Sequence, residues 1–172
     1  NGFNWIEQNS GIQNGLNAVY FMDINNGWAV GDNKKIVRTS DGGTNWIVQS
    51  APDVPNNISF NGVHFVSATE GWVAGSLGYI LHTINGGVDW SVQKSSGSTL
   101  QEISFFNSNS GFAIGINGSI FRTTNSGLNW NSITPNTTLG LNDILFSTAS
   151  DFWIAGDNGT ILKSNNAGVT WS

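Results

Sequence analysis

Thr39-Ser40-Asp41-Gly42-Gly43-Thr44-Asn45-Trp46 recurs as Thr83-Ile84-Asn85-Gly86-Gly87-Val88-Asp89-Trp90, as Thr123-Thr124-Asn125-Ser126-Gly127-Leu128-Asn129-Trp130 and as Ser164-Asn165-Asn166-Ala167-Gly168-Val169-Thr170-Trp171. Around these stretches the blocks 16–46, 60–90, 100–130 and 141–171 align without a gap, 31 residues each. Self-similarity at a period of about 40 residues marks an array in which each repeat is one supersecondary unit. Length varies only after each Trp, most of all where Ala51-Pro52-Asp53-Val54-Pro55-Asn56-Asn57 is inserted, so that stretch reads as a surface loop.

The aligned columns give the strands. Each block opens on Leu16, Phe60, Leu100 or Leu141, continues with Val19, Val63, Ile103 or Ile144, and then Phe21, Phe65, Phe105 or Phe146, which is strand one. Strand two is nearly all apolar and so buried on both faces: Trp28-Ala29-Val30-Gly31, Trp72-Val73-Ala74-Gly75, Phe112-Ala113-Ile114-Gly115, Trp153-Ile154-Ala155-Gly156. Asn117-Gly118 and Asn158-Gly159 suit a tight hairpin turn, with Asn33-Lys34 and Leu77-Gly78 in the same column. Strand three follows as Ile36-Val37-Arg38 and its equivalents, and a more polar fourth strand, such as Trp46-Ile47-Val48-Gln49, closes the unit. Four antiparallel strands in about 40 residues make one propeller blade. The expected fold is all-β, a propeller of four such blades forming one array over 1–172, with residues 1–10 as an outer strand that completes the last blade.

The turn before each Trp resembles the Asp-box, or BNR repeat, S/T-x-D/N-x-G-x-x-W. Its members here are Thr39, Asp41, Gly43 and Trp46; Thr83, Asn85, Gly87 and Trp90; Thr123, Asn125, Gly127 and Trp130; Ser164, Asn166, Gly168 and Trp171. The wider repeat is similar to those of the photosystem II assembly and stability factor (Ycf48-like) family and of secreted bacterial BNR propellers. The resemblance implies a structural role for these turns at the blade periphery. It also implies a photosystem partner, although that family's basic patch has no counterpart in this acidic chain. An Asx oxygen accepts amide hydrogen bonds within its own turn, and the hydroxyl ties the turn to the strand. Asn replaces Asp in three of the four copies, which disfavours a hard-cation site there.

Composition narrows the function. A net charge of −5 and only six Lys and Arg exclude a phosphate-binding nucleic-acid surface. No apolar run reaches the roughly 20 residues of a membrane span. Residues 1–10 carry no signal-peptide pattern, so a soluble chain with any targeting segment removed is expected. With no cysteine, and with two histidines in different columns, neither a metal nor another cofactor is expected. Richness in Asn, Ser, Thr and Gly with few charges points to an extracellular or cell-surface location.

Asp-box propellers include sialidases, whose pattern needs three arginines; this chain has Arg38 and Arg122 alone, in one repeat column with His82 and Lys163. A glycoside hydrolase needs only two carboxyls, and Glu102 and Asp143 stand in one column of strand one in adjacent blades. The neighbouring amide column of Asn17, Asn61, Gln101 and Asn142, with Tyr20 and His64 nearby, supplies candidate ligand contacts at the channel. The reading is a non-catalytic binding or scaffold module for a protein or glycan. The alternatives are a hydrolase using Glu102 and Asp143, and a part of a larger propeller or a homo-oligomer assembled through terminal strands.

Overall fold

The computed structural model describes residues 4–95 and 97–172. The chain is a β-propeller array of four antiparallel sheets. Blade 1 holds β1 (Leu16–Phe21), β2 (Gly27–Gly31), β3 (Lys35–Thr39) and β4 (Ile47–Gln49). Blade 2 holds β5 (Phe60–Phe65), β6 (Gly71–Gly75), β7 (Tyr79–Thr83) and β8 (Ser91–Ser95). Blade 3 holds β9 (Leu100–Phe105), β10 (Gly111–Gly115), β11 (Ile120–Thr123) and β12 (Asn131–Ile133). Blade 4 holds three strands, β13 (Leu141–Phe146), β14 (Phe152–Gly156) and β15 (Ile161–Ser164). In each sheet the strands follow chain order. The inner strands β1, β5, β9 and β13 adjoin one another in turn.

Blades are joined by stacked rings. Trp28 of β2 lies on Phe65 of β5 with centroids 3.6 Å apart, and Trp90 meets that Phe edge-on. Trp72, Phe105 and Trp130 repeat the arrangement at 3.6 Å. Phe112, Phe146, Phe152 and Trp171 make a looser version. The column Arg38, His82, Arg122 and Lys163 covers the strand-two rings Trp28, Trp72, Phe112 and Trp153 respectively, because each is the cross-strand partner of that ring. In blades 1, 3 and 4 this places a cation over an aromatic face, which is favourable, and the long side chain also shields the ring from water; in blade 2 the His82 ring, whose affinity for a proton burial lowers, stacks on Trp72 at 4.6 Å.

Strand two is wholly buried in blades 1 to 3, as its sequence requires. Each of these strands ends on a glycine whose Cβ would overlap the carbonyl oxygen of the residue before strand one: Gly31 against Gly15, Gly75 against Ser59, Gly115 against Thr99. That carbonyl accepts the next backbone N–H, as in Ser76 to Ser59 at 2.8 Å, which pins the loop over the strand end. In blade 4 strand two is less covered, and Trp153 is 37% exposed.

The Asp-box turns share one hydrogen-bond scheme. The buried Thr123 hydroxyl donates to Asn125 Oδ1 (3.0 Å) and accepts from Gly127 N–H (2.8 Å), while Asn125 Oδ1 also accepts from Asn129 N–H (3.0 Å). The turns at Thr39, Thr83 and Ser164 repeat this. Only Oδ1 is used, so Asn and Asp are equivalent there. The second atom pairs with the residue four positions on: Asn45 Nδ2 donates to Asp41 Oδ2, and Asn85 Nδ2 donates to Asp89 Oδ2.

The N-terminal segment departs from expectation. Residues 4–10 form no strand and do not complete the fourth sheet; residues 1–3 lie outside the described residues. Gln8 Nε2 donates to Gly42 O (3.3 Å) of the first turn, as Gln93 Nε2 donates to Ser126 O (2.8 Å) of the third. The segment is thus held on blade 1, in the place a preceding blade's fourth strand would occupy.

Two substitutions test the turn scheme. Thr123→Val strands the Gly127 N–H and should cost about 1–3 kcal/mol in urea unfolding. The Asn45 side chain, the Asn45 N–H and the Thr39 hydroxyl hold the Asp41 carboxyl below its ordinary value, so its contribution is present above that value and is lost as pH falls through the depressed one. Asp41→Asn should leave unfolding at neutral pH unchanged and remove this acid-dependent part, as read by paired denaturation curves at neutral and acidic pH.

Candidate functional site

Strand one is irregular at one place in every blade. The pairing register shifts between Leu16 and Ala18, between Phe60 and Gly62, opposite Leu100 to Glu102, and between Leu141 and Asp143. The extra residues are Asn17, Asn61, Gln101 and Asn142. A bulge re-aims its side chain out of the ladder, and here it turns the amides toward the neighbouring blade. Asn17 Nδ2 donates to Phe60 O (3.1 Å), and Asn61 Nδ2 donates to Leu100 O (2.8 Å). Asn142 Nδ2 donates instead to Asp157 Oδ1 (2.9 Å) within its own blade. The Gln101 side chain makes no hydrogen bond within the described residues.

These amides line one polar recess of about 830 Å³ with Glu102, Asp32 and Ser59. Asp32 Oδ1 accepts from Asn17 Nδ2 (3.2 Å) and from Ser59 Oγ (2.9 Å). Asp32, Ser59 and Asp157 were not foreseeable as site residues, because each occupies a loop position whose column varies between blades.

Glu102 faces the recess while Asp143 is exposed and does not line it. Burial pushes the Glu102 carboxyl up to about 7; the Ile103 N–H, donating to Oε1 at 3.0 Å, opposes this, and the Asp143 charge adds a smaller upward push. The two carboxyls therefore stand in different surroundings. Near neutral pH Glu102 is a partly protonated group that both donates and accepts.

Tyr20 and His64 lie elsewhere. Their rings pack 4.9 Å apart at the other end of strand one, lining a separate cavity of about 540 Å³ with Glu70, Phe105 and Phe106. Asn17 and Tyr20 are three positions apart along extended chain, which is enough to put them toward opposite ends of a six-residue strand. Burial pushes the His64 imidazole down to about 4, so it is neutral at pH 7. Among the described residues no group of three or more His, Asp or Glu is placed to hold a metal ion, and no helix is long and apolar enough to cross a membrane.

Four bulged blades with Asp-box turns define a BNR-type β-propeller array. Residues 2–137 match the family model of the photosynthesis system II assembly factor YCF48, and the chain belongs to that family. It is similar to a structure described as YCF48 bound to D1 peptide, at 21% identity and TM-score 0.65 over 97% of this chain and 83% of that one. It is similar to YCF48 from Cyanidioschyzon merolae at 24% identity and TM-score 0.74, over 93% of this chain and 56% of that one. An ancestral GH74 enzyme superposes at 18% identity and TM-score 0.77, over 97% of this chain and 25% of that one. At these identities the likeness is one of fold. No curated protein matches the sequence.

A carboxyl raised from the ordinary 4.5 to about 7 is favoured protonated in the folded state. Its favourable part is complete below the unfolded value and is lost as pH rises from there through about 7. Glu102→Gln should therefore raise stability at pH 8 by on the order of 2–3 kcal/mol and leave it unchanged at pH 4, as measured by denaturation at the two pH values.

Proposed function

We propose that this chain is a non-catalytic binding module that seats an extended segment of a partner protein in the amide-lined mouth. The observation that carries this is the row of four bulged amides at the recess, among which the Gln101 side chain makes no hydrogen bond to the described residues. A side-chain amide offers one acceptor and two donors, the same groups a peptide backbone presents. A mouth lined by them suits main-chain recognition without a requirement for charge. The structure of a family member bound to D1 peptide supports a peptide as occupant. The composition, rich in Asn, Ser, Thr and Gly with 10% charged residues, supports a location outside the cell or at its surface.

A second reading has one observation in its favour. The raised Glu102 carboxyl keeps a proton near neutral pH and faces the recess, as a general acid of glycoside cleavage must. A glycan then occupies the same mouth.

Titration calorimetry with a synthetic D1 peptide and with glucan oligosaccharides separates the readings. The peptide should bind, and Gln101→Leu should weaken it about tenfold, the effect of one lost hydrogen bond of roughly 1.4 kcal/mol, without shifting the unfolding midpoint. Glucan binding with cleavage that Glu102→Gln abolishes would replace this reading with the second. Binding of neither probe removes the mouth as the site.

A further inference from the structure

The cavity of about 540 Å³ at the far end of strand one, where blades 1, 2 and 3 meet, takes no part in the amide-lined mouth. Its wall belongs to a continuous run of rings. Tyr20 and His64 stand 4.9 Å apart, His64 and Phe105 6.4 Å apart, and Phe105 lies on Trp72, which in turn stacks on His82 at 4.6 Å. Phe106 lines the same cavity and is 43% exposed.

One carboxylate stands at the end of this run. Glu70 lines the cavity; its Oε1 meets His82 Nε2 at 3.4 Å, and its Oε2 makes no hydrogen bond to the described residues. Burial pushes the His82 imidazole down, against the opposing pull of Glu70, so the ring beside the carboxylate is neutral at pH 7 and leaves its charge uncancelled. The neutral His64 ring and the Tyr20 hydroxyl make no hydrogen bond to the described residues either, and half-buried polar atoms without partners mark a place for a ligand's. Charge at this end has one sign: the turns joining strand one to strand two, residues 22–26, 66–70, 106–110 and 147–151, carry Asp23, Glu70 and Asp151 and no Lys or Arg.

These surroundings choose a cation, and also its shape. Aromatic faces attract a positive group, more strongly as it leaves water. A planar guanidinium lies flat on a ring while its edge donates to a carboxylate, whereas an ammonium is a compact point charge that does not stack. An anion would meet Glu70 with nothing to offset it, and an apolar group would leave Tyr20 and His64 without partners. At the same cavity Asn107 Nδ2 and the Ser108 hydroxyl make no hydrogen bond to the described residues, the Asn107 Oδ1 being taken by the N–H groups of Asn109 and Ser110. An amide donor and a hydroxyl suit the main chain on either side of an inserted side chain.

We propose that this cavity binds an arginine side chain of a partner polypeptide, with the guanidinium against Phe106 and its edge toward Glu70. Tyr20 and His64 take the remaining guanidinium hydrogens, and Asn107 and Ser108 take the main chain beside it. The site is independent of which ligand the mouth takes, since the two lie toward opposite ends of strand one and share no residue.

The test is an NMR titration of the 172-residue chain with a capped pentapeptide, one arginine between two pairs of glycines, and with the same peptide carrying citrulline, the uncharged isostere, in place of arginine. The arginine peptide should shift the Tyr20 and His64 ring resonances saturably and bind more tightly than the citrulline peptide. Glu70→Gln and Phe106→Leu should each weaken it about tenfold, while Gln101→Leu at the mouth leaves it unchanged. Phe106 is half-exposed and the Glu70 side chain partly so, and both variants should fold, as circular dichroism checks. Equal binding of the two peptides overturns the proposal, and so does an absence of saturable shifts at Tyr20 and His64. Full affinity in a folded variant, or affinity lost in Gln101→Leu, overturns it too; if one of the two cavity variants does not fold, the other decides.

Discussion

The stack of a strand-two ring on the strand-one phenylalanine of the following blade is the contact on which the rest of the molecule depends. Trp28 on Phe65 and Trp72 on Phe105, both at 3.6 Å, set the spacing and rotation between sheets. A strand-two segment that is apolar on both faces has no stable place in an isolated sheet, so each blade needs a neighbour to bury it. The Asp-box tryptophan then fixes the outside of the joint and the basic column covers the ring from the opposite side. What resemble independent sequence signatures, the Gly-Trp of strand two, the Phe of strand one, the basic residue of strand three and the Trp after the turn, are parts of one joint.

The mouth follows from the same geometry. Bringing strand one of the next blade against strand two leaves its opening residues crowded at the channel, and the chain relieves this by a bulge. The bulged position is polar in every blade, and in blades 1 and 2 its side chain leaves the ladder and meets a backbone carbonyl across the blade boundary. In this way a feature that serves packing also lines the recess. Glu102 occupies the next position, where Gly62 of the preceding blade lets the backbones approach: a Cβ on Gly62 would stand 2.9 Å from the Glu102 Cα. That close approach helps to bury the carboxyl, and burial raises it, whereas the equivalent Asp143 is exposed.

Sheets, turns and the inner position of strand one were legible in the sequence because each rests on contacts within a repeat. Leu16, Val19 and Phe21 even record the bulge, since an unbroken strand places core residues two apart and these stand three and then two apart. The grouping of Tyr20 and His64 with the amides was not legible correctly: neighbouring columns look close in a sequence but sit at opposite ends of a strand. The role of Gln8 was missed as well, although Trp-x-x-Gln recurs at Gln49 and Gln93. Its partner is the turn of the next blade, a contact that no alignment of one repeat with another displays. The low affinity of His64 for a proton depends on burial by three blades and has no local signal.

The exchange of Asp41 with Asn45 for Asn85 with Asp89 has a consequence beyond the turns themselves. Each turn uses one acceptor oxygen, three of them add a side-chain pair four residues apart, and that pair is indifferent to which member bears the charge, or to whether either does. The acidity of the chain is therefore not written into its fold. Substitution can reset the electrostatic character of the outer rim blade by blade while the stacked rings within stay as they are. The same scaffold is thus free to drift toward acidic or basic surroundings, its shape inherited and its surface potential chosen separately.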